Sequence, residues 1–205
     1  MLEHVPAWLG RLLADRRAGA DKLVAARPDM APPAAMALQL TSPAFADGGR
    51  LPDRFTADGT GVSPPLTWTG APAGATLALV VEDPDAPASQ PLVHAIVWGL
   101  TGESGRLAEG ALSDNDEEDG LAVGRNSFFR TGWLPPDPPT GHGEHRYAFQ
   151  LFAVAADAAG PGEKPGRQAL IEAMAGRVAA ADVLVGTYSR GEERPVGPVG
   201  AVAPA

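Results

Sequence analysis

The stretch TLALVVEDPDAP, residues 76 to 87, is the most informative part of the chain. Its first eight residues are mostly apolar and β-branched, which predicts a central β-strand. Asp83 and Asp85 follow, and Pro84 and Pro87 restrict the backbone around them. A rigid corner that carries two carboxylates suits a preorganised binding site, although Asp-Pro is also common in plain turns.

Two further segments have the same β character, LVHAIVWGL (92 to 100) and HRYAFQLFAV (145 to 154). They predict two more central strands of one sheet. The 205 residues include 25 Gly and 21 Pro, which predicts many turns and few long helices. The Pro-rich stretches at 64 to 74 and 134 to 143 are predicted loops or edges, because proline cannot donate to a strand ladder. The fold is therefore expected to be mainly β.

Side chains alternate between the two faces of a strand, so a spacing of two residues predicts which of them meet. His145 and Tyr147 are predicted to share one face. His94 is predicted to share a face with Leu92, Ile96 and Trp98. If both histidines converge on the acidic corner, the resulting set of imidazoles, carboxylates and a phenol could hold a small anion or ligate a metal. Spacing alone leaves both alternatives open.

The two ends of the chain carry helical and irregular patterns. Apolar residues at helical spacing predict an amphipathic helix over 5 to 27, packed on its own domain, on a second subunit or on a membrane surface. A second helix is predicted over 167 to 182, followed by a last strand over 183 to 188. The predicted division is a helical extension at 1 to 35, one domain at 36 to 191 and a flexible Gly/Pro-rich tail at 192 to 205.

Charge and composition exclude several classes of function. The formal net charge is −9 and the basic residues do not cluster, which argues against nucleic-acid binding. The chain has no cysteine, so disulfides and thiolate metal sites are excluded. The acidic loop 113 to 120 lacks the acidic twelfth ligand of a calcium loop, since Arg125 stands there. No apolar run is long enough for a membrane span or a signal peptide, so a cytoplasmic location is expected.

Several motifs follow one another in a distinctive order: GTGVSPPLTW (59 to 68), DPDAP (83 to 87), His94, GRNSFFRTGW (124 to 133) and PPTGHGEHRY (138 to 147). Together they resemble the phosphatidylethanolamine-binding protein family, most closely its bacterial Raf-kinase-inhibitor-like (YbhB/YbcL) branch. The resemblance runs from about Leu40 to Arg190.

The resemblance implies a β-sandwich in which a large central antiparallel sheet packs on a smaller sheet, with a few peripheral helices. It also implies a small pocket for anions such as phosphate, acetate or a phosphorylethanolamine head group, with no catalytic residue, cofactor or metal. The acids would orient the histidines or meet an ammonium group, because bare carboxylates repel an anion. By their positions in the family's motifs, the ligand-binding residues are Asp83, Asp85, His94, Pro138, Gly141, His145 and Tyr147.

The chain departs from the family's pattern around this pocket. Leu92 and Ala95 stand where tryptophans usually flank the strand histidine, and Phe129 stands where a glycine is usual. Pro135 replaces a glycine, and Asp137 replaces an uncharged residue. An added carboxylate at the rim is expected to weaken anion binding or to change the ligand preference.

The leading hypothesis is a non-enzymatic binding protein with a small anionic or phosphorylated ligand. It allows a protein partner and a homodimer, but neither nucleic acid nor stable membrane insertion. The alternative is a hydrolytic enzyme that uses the same Asp and His residues as general acid and base, or to bind a metal. The chain contains no cysteine, GxSxG or HExxH motif that would support it. A structural or dimerising protein with a vestigial pocket is the third hypothesis.

Overall fold

Two antiparallel sheets packed face to face form the body of the computed structural model, which describes residues 6–33, 37–113 and 122–190. Within these ranges, the larger sheet has six strands, in the order β2 (Gly49–Arg50), β9 (Val178–Tyr188), β8 (His145–Val154), β4 (Thr76–Asp83), β5 (Leu92–Leu100) and β7 (Ala122–Val123). The smaller sheet has three, in the order β1 (Gln39–Thr41), β3 (Leu66–Thr69) and β6 (Gly105–Leu107). The short β2 is the exception to the antiparallel pairing, because it runs parallel to β9. The predicted mainly β sandwich is confirmed.

The strands that the sequence predicts at the centre of the large sheet are confirmed with the same bounds: β4 at Thr76–Asp83, β5 at Leu92–Leu100 and β8 at His145–Val154. A short strand lies inside the segment 64 to 74, which the sequence predicts as a loop or edge.

Each face of the large sheet is covered by a different layer. The alternating residues Leu79 of β4 and Phe149 of β8 face the small sheet and join a buried apolar cluster with Trp68 of β3. The side chains between them face the other way and form a second cluster with residues of the N-terminal segment and a C-terminal helix. Strands that are buried on both faces explain why their sequences read as nearly continuous apolar runs.

A β-bulge in β5 turns His94 to the face that the alternation does not predict. Val81 of β4 pairs with Ala95 of β5 and Glu82 pairs with Val93, so His94 is an extra residue in β5 without a partner in β4. As a result, Val93 belongs to the second cluster while Ala95 belongs to the cluster between the sheets. The ring of His94 contacts that of Tyr147, on the side of the small sheet. The predicted sharing of a face with Ile96 is therefore wrong.

The N-terminal segment is less helical than predicted. Instead of one helix over 5 to 27, it forms α1 (Ala7–Leu13) and three short 3-10 turns, at Ala20–Lys22, Val24–Ala26 and Pro28–Met30. Gly19 has a φ of 105°, which a right-handed helix does not allow. The backbone N–H groups of Ala18 and Gly19 donate to carbonyls at the acidic corner. These tertiary hydrogen bonds use groups that a continuous helix would need for itself.

The C-terminal helix is also shorter than the predicted 167 to 182. The helix α2 spans Arg167–Met174, and Gly176, with a φ of 68°, follows its end. Residues from Val178 onward pair with β8, so β9 begins before the predicted 183. The helix propensity of the alanines is overridden by this pairing. The tail from 191, and residues 114 to 121 of the acidic loop, lie outside the described residues.

None of the helices in the described ranges is long and apolar enough to cross a membrane.

Candidate binding site

The acidic corner begins with Asp83, the last residue of β4, and both of its carboxylate oxygens accept hydrogen bonds. Oδ1 accepts from the backbone N–H of Asp85 at 2.7 Å, which closes the turn. Oδ2 faces Nδ1 of His145, also at 2.7 Å. Asp83 is 3 % exposed. The carboxylate therefore shapes the corner and orients the His145 ring.

Asp85 is held by two arginines. Arg146 donates to both carboxylate oxygens at 2.7 Å through its guanidinium, and its backbone N–H adds a contact of 2.9 Å. Nη1 of Arg17, from the N-terminal segment, lies 2.8 Å from Oδ1. Burial raises the pKa of Asp85, but the hydrogen bonds from Arg146 and Arg17 outweigh it and lower the pKa to about 2. Asp85 thus stays charged and faces arginines.

A hydrogen-bonded chain runs from Asp83 through two histidines to the N-terminal segment. Nε2 of His145 lies 2.7 Å from Nδ1 of His142, and Nε2 of His142 lies 2.8 Å from the Leu13 carbonyl oxygen. His142 is 1 % exposed, and burial lowers its pKa, with further lowering by His145 and Arg17. The sequence analysis missed His142, although it lies three residues before His145 within PPTGHGEHRY.

His94 has one ring nitrogen in use and one without a partner. Nδ1 lies 2.6 Å from the Leu134 carbonyl oxygen, so it carries the proton and donates. Nε2 is buried and has no hydrogen-bond partner among the described residues. Burial lowers the pKa of His94, and the charge of Asp83 offsets this in part. In the neutral ring Nε2 is therefore a hydrogen-bond acceptor for which the described residues supply no donor.

Tyr147 lies against His94 and also has an unpartnered polar atom. The two rings meet edge to face with their centroids 5.0 Å apart. The Tyr147 hydroxyl is buried and lacks a hydrogen-bond partner within the described ranges. Burial and the charges of Asp83 and Asp85 raise the pKa of Tyr147 well above its ordinary value, so the hydroxyl keeps its proton. A buried polar atom without a partner costs about 1–3 kcal/mol, and here two side chains whose rings are in contact each carry one.

Residues 138 to 145 lead from the Pro-rich segment into β8, and we call them the rim loop. Pro138, at its start, accepts a hydrogen bond from Arg190 at 3.2 Å. Arg190 also pairs with Asp137 and with Asp58. The additional carboxylate at Asp137 is therefore neutralised by an arginine. Gly141, with a φ of 84°, lies against α1, since a Cβ built on it would lie 2.5 Å from the Ala7 carbonyl oxygen.

The structure brings together four of the residues that the sequence proposes for the site, namely Asp83, His94, His145 and Tyr147. Asp85 and Gly141 lie beside them but contact the N-terminal segment, and Pro138 lies at the rim. Ala95, which stands where the family usually has a tryptophan, is packed in the core between the sheets. The four central residues are each at most 3 % exposed, so they are closed to solvent unless the residues over them move.

The described residues of the site do not form a set of metal ligands. No group of three or more His, Asp or Glu residues in the described ranges could hold a metal ion. Both ring nitrogens of His142 and of His145 are engaged in hydrogen bonds.

Comparison with known proteins shows the family to which the chain belongs. The model of the phosphatidylethanolamine-binding protein family matches residues 41–189. A UPF0098 protein of Methanothermobacter thermautotrophicus is 38% identical over 157 residues, which cover 75% of this chain and 100% of that protein. A protein of Mycobacterium tuberculosis named "Putative lipoprotein LppC" is 40% identical over 156 residues, covering 76% of this chain and 74% of that protein.

A solved structure extends the likeness to three dimensions. The crystal structure of YbcL from Escherichia coli, described as a member of the same family as the mammalian proteins, superposes with a TM-score of 0.68 at 27% identity. The match covers 75% of this chain and 99% of YbcL. The N-terminal segment before residue 41 lies outside the family match. The chain therefore belongs to the phosphatidylethanolamine-binding protein family, as a bacterial member similar to YbcL.

Proposed function

We propose that this member of a binding family is not an enzyme and holds a small anionic or phosphorylated group between His94 and Tyr147. The single observation that carries the proposal is the pair of unpartnered buried atoms, Nε2 of His94 and the hydroxyl of Tyr147. Burying them is costly in the free protein, and a guest that hydrogen-bonds to both removes that cost. Asp83, Asp85, His145, Pro138 and Gly141 complete the proposed site as its frame and rim.

The two atoms differ in what they offer a guest. The Tyr147 hydroxyl donates, whereas Nε2 of a neutral His94 accepts. A guest must therefore bring one proton, as a P–OH or a carboxylic O–H group, or His94 must take up a proton when the anion binds. Both routes become harder as the pH rises, so affinity should fall with increasing pH. A phosphate monoester loses its second proton near pH ~6, whereas a diester has none to lose.

The local charge is compatible with an anion if the histidine chain is protonated. Asp83 alone would repel a negative guest. One extra proton on the pair His142 and His145 balances that carboxylate, and the charge of Asp85 is already balanced by Arg17 and Arg146. The described site then presents hydrogen-bonding atoms without net negative charge.

The test compares two tyrosine variants, because the chain has two tyrosines. Isothermal titration with inorganic phosphate should show binding to the wild type, and phosphorylethanolamine, its glycerol diester and acetate are titrated beside it. Tyr147→Phe removes a hydroxyl from the site and should weaken the Kd about tenfold or more, the value of a hydrogen bond to a charged group. Tyr188→Phe is the matched control: it removes a hydroxyl that donates to Asp58 at 2.7 Å and should leave the Kd unchanged.

Equal affinity in Tyr147→Phe and the wild type would overturn the proposed site. Binding of the monoester but not the diester at neutral pH would support a guest that brings its own proton. Binding of both with the same dependence on pH would support proton uptake by His94. A protein partner, a homodimer and a cytoplasmic location stay proposals from the sequence.

A further inference from the structure

The N-terminal residues 6–19, which we call the cover segment, lie directly on the rim loop. A Cβ built on Gly10 of α1 would lie 2.1 Å from the Thr140 carbonyl oxygen and 2.9 Å from the backbone nitrogen of His142. On the other side, a Cβ built on Gly141 would lie 2.5 Å from the Ala7 carbonyl oxygen. Two glycines thus allow backbone to pack on backbone, and α1 covers the loop that leads into β8.

The cover segment is held mainly by polar contacts. Gly10 is the buried residue of α1, whereas Trp8 is 61 % and Leu12 is 72 % exposed. Beyond α1, the backbone N–H groups of Ala18 and Gly19 donate to the carbonyls of Ala86 and Pro84 at 3.0 and 2.9 Å. A segment with so little buried apolar surface opens more easily than the core. Each hydrogen bond therefore has a large effect on whether it stays closed.

The contact between His142 and the Leu13 carbonyl depends on a proton, as a count of the N–H protons in its hydrogen-bonded chain shows. The chain Asp83, His145, His142, Leu13 contains three hydrogen bonds and ends in an oxygen acceptor at both sides. Three hydrogen bonds need three N–H protons, but two neutral imidazoles supply only two. The chain is complete only when the pair carries one extra proton and one positive charge. Without it, two ring lone pairs face each other, or an acceptor loses its donor.

We propose that this extra proton clamps the cover segment to the rim loop through His142, and that its loss as the pH rises releases the segment. Among the described residues, the charged or titratable groups that face the pair are Arg17, which opposes the proton, Asp83, which favours it, and His94, which interacts with His145 and opposes the proton if it is itself charged. The neighbouring charged residues Asp85 and Arg146 form an ion pair with each other. The further statement that release opens the site to a guest rests on the proposed function. His142 acts here as a positioning residue.

Because burial lowers the pKa of His142, hydrogen exchange of the free protein is followed by mass spectrometry from about pH 4 to about pH 8 to test the clamp. After correction for the intrinsic exchange rate, protection in residues 6–19 should fall about tenfold as His142 loses its extra proton, as expected for the loss of one hydrogen bond. Protection in β8 should not change. Protection in the cover segment that is independent of pH would overturn the proposal.

Two substitutions of His142 separate its two contacts. In His142→Gln the amide nitrogen reaches about as far as Nε2 and can still donate to the Leu13 carbonyl, without a titrating proton. Protection of the cover segment should then be independent of pH. In His142→Asn the amide reaches His145 but not Leu13, and protection should be low at every pH. A pH dependence in His142→Gln equal to that of the wild type would contradict the proposal.

A measurement on the wild type covers the case in which neither variant folds. Nitrogen chemical shifts of the ring nitrogens report which of them carry protons. The pair should hold three protons below its transition and two above it, and two protons at every pH would overturn the clamp. Phosphate dissociation should be faster above the transition. If hydrogen exchange shows the clamp but the dissociation rate does not change, only the statement that release opens the site is refuted. If hydrogen exchange shows the clamp but phosphate does not bind, only the proposed function is refuted.

Discussion

Substitution of Asp85 by asparagine tests how strongly one buried carboxylate ties the acidic corner to two other parts of the chain. Asp85 has a pKa of about 2 in the folded protein, against an ordinary value of 3.8. A shift of one pKa unit corresponds to about 1.4 kcal/mol, so the ionised carboxylate contributes about 2 kcal/mol to the free energy of unfolding. Arg17 and Arg146 are 35% and 30% exposed, so water can hydrate their charges when the partner is lost.

We therefore expect Asp85→Asn to lower the free energy of unfolding at pH ~7 by about 2–3 kcal/mol, less than for a fully enclosed pair. For a chain of this size that corresponds to a fall in Tm of roughly 4–10 °C. The folded pKa is lowered, so the contribution is present above the unfolded pKa and is lost as the pH falls toward 2. The difference between variant and wild type should shrink over that range.

Urea unfolding at several pH values, with the m-value held as a check, measures both effects. Asp29→Asn is the control, because Asp29 pairs with Arg27 at the surface and its loss should leave stability nearly unchanged. A difference between Asp85→Asn and the wild type that is below about 0.5 kcal/mol, or that does not depend on pH, would refute this reasoning.

Three other substitutions should have distinct effects on stability, each measured by urea or thermal unfolding. Glu82→Ala should cost about 3–5 kcal/mol, because this fully buried carboxylate pairs with Arg167 at 2.6 Å, and unchanged stability would contradict the pairing. Phe129→Gly should raise Tm by roughly 2–4 °C, since Phe129 is 86 % exposed with a φ of 61°, and a fall in Tm would show that its ring packs. Gly10→Ala should loosen the cover segment while leaving global unfolding within about 1 kcal/mol, as its Cβ would collide with Thr140, and unchanged exchange protection of the segment would argue against that contact.

The central strands could be predicted from the sequence because they are buried on both faces and bounded by Gly, Pro and Asp. Regular alternation also places His145 and Tyr147 on one face, as the structure has them. The position of His94 could not be predicted in this way. It depends on a bulge, and a bulge arises from how β5 pairs with β4 rather than from the residues of β5 alone.

The N-terminal segment could not be predicted for a related reason. The apolar spacing of Trp8 and Leu12 is that of an amphipathic helix, yet both side chains are exposed. What fixes the segment is a set of hydrogen bonds and close backbone contacts to residues more than sixty positions away in the chain, such as Pro84 and Ala86. Local periodicity carries no information about such contacts.

The N-terminal residues also bear on how the protein can be produced. Val24 is 0% and Met30 is 1% exposed, and both belong to the apolar layer on the outer face of the large sheet, where Val80 and Phe152 also lie. A recombinant fragment trimmed to the family match at residue 41 would leave part of that layer open to water. Such a fragment should bind a hydrophobic dye and precipitate at concentrations at which the full chain stays in solution.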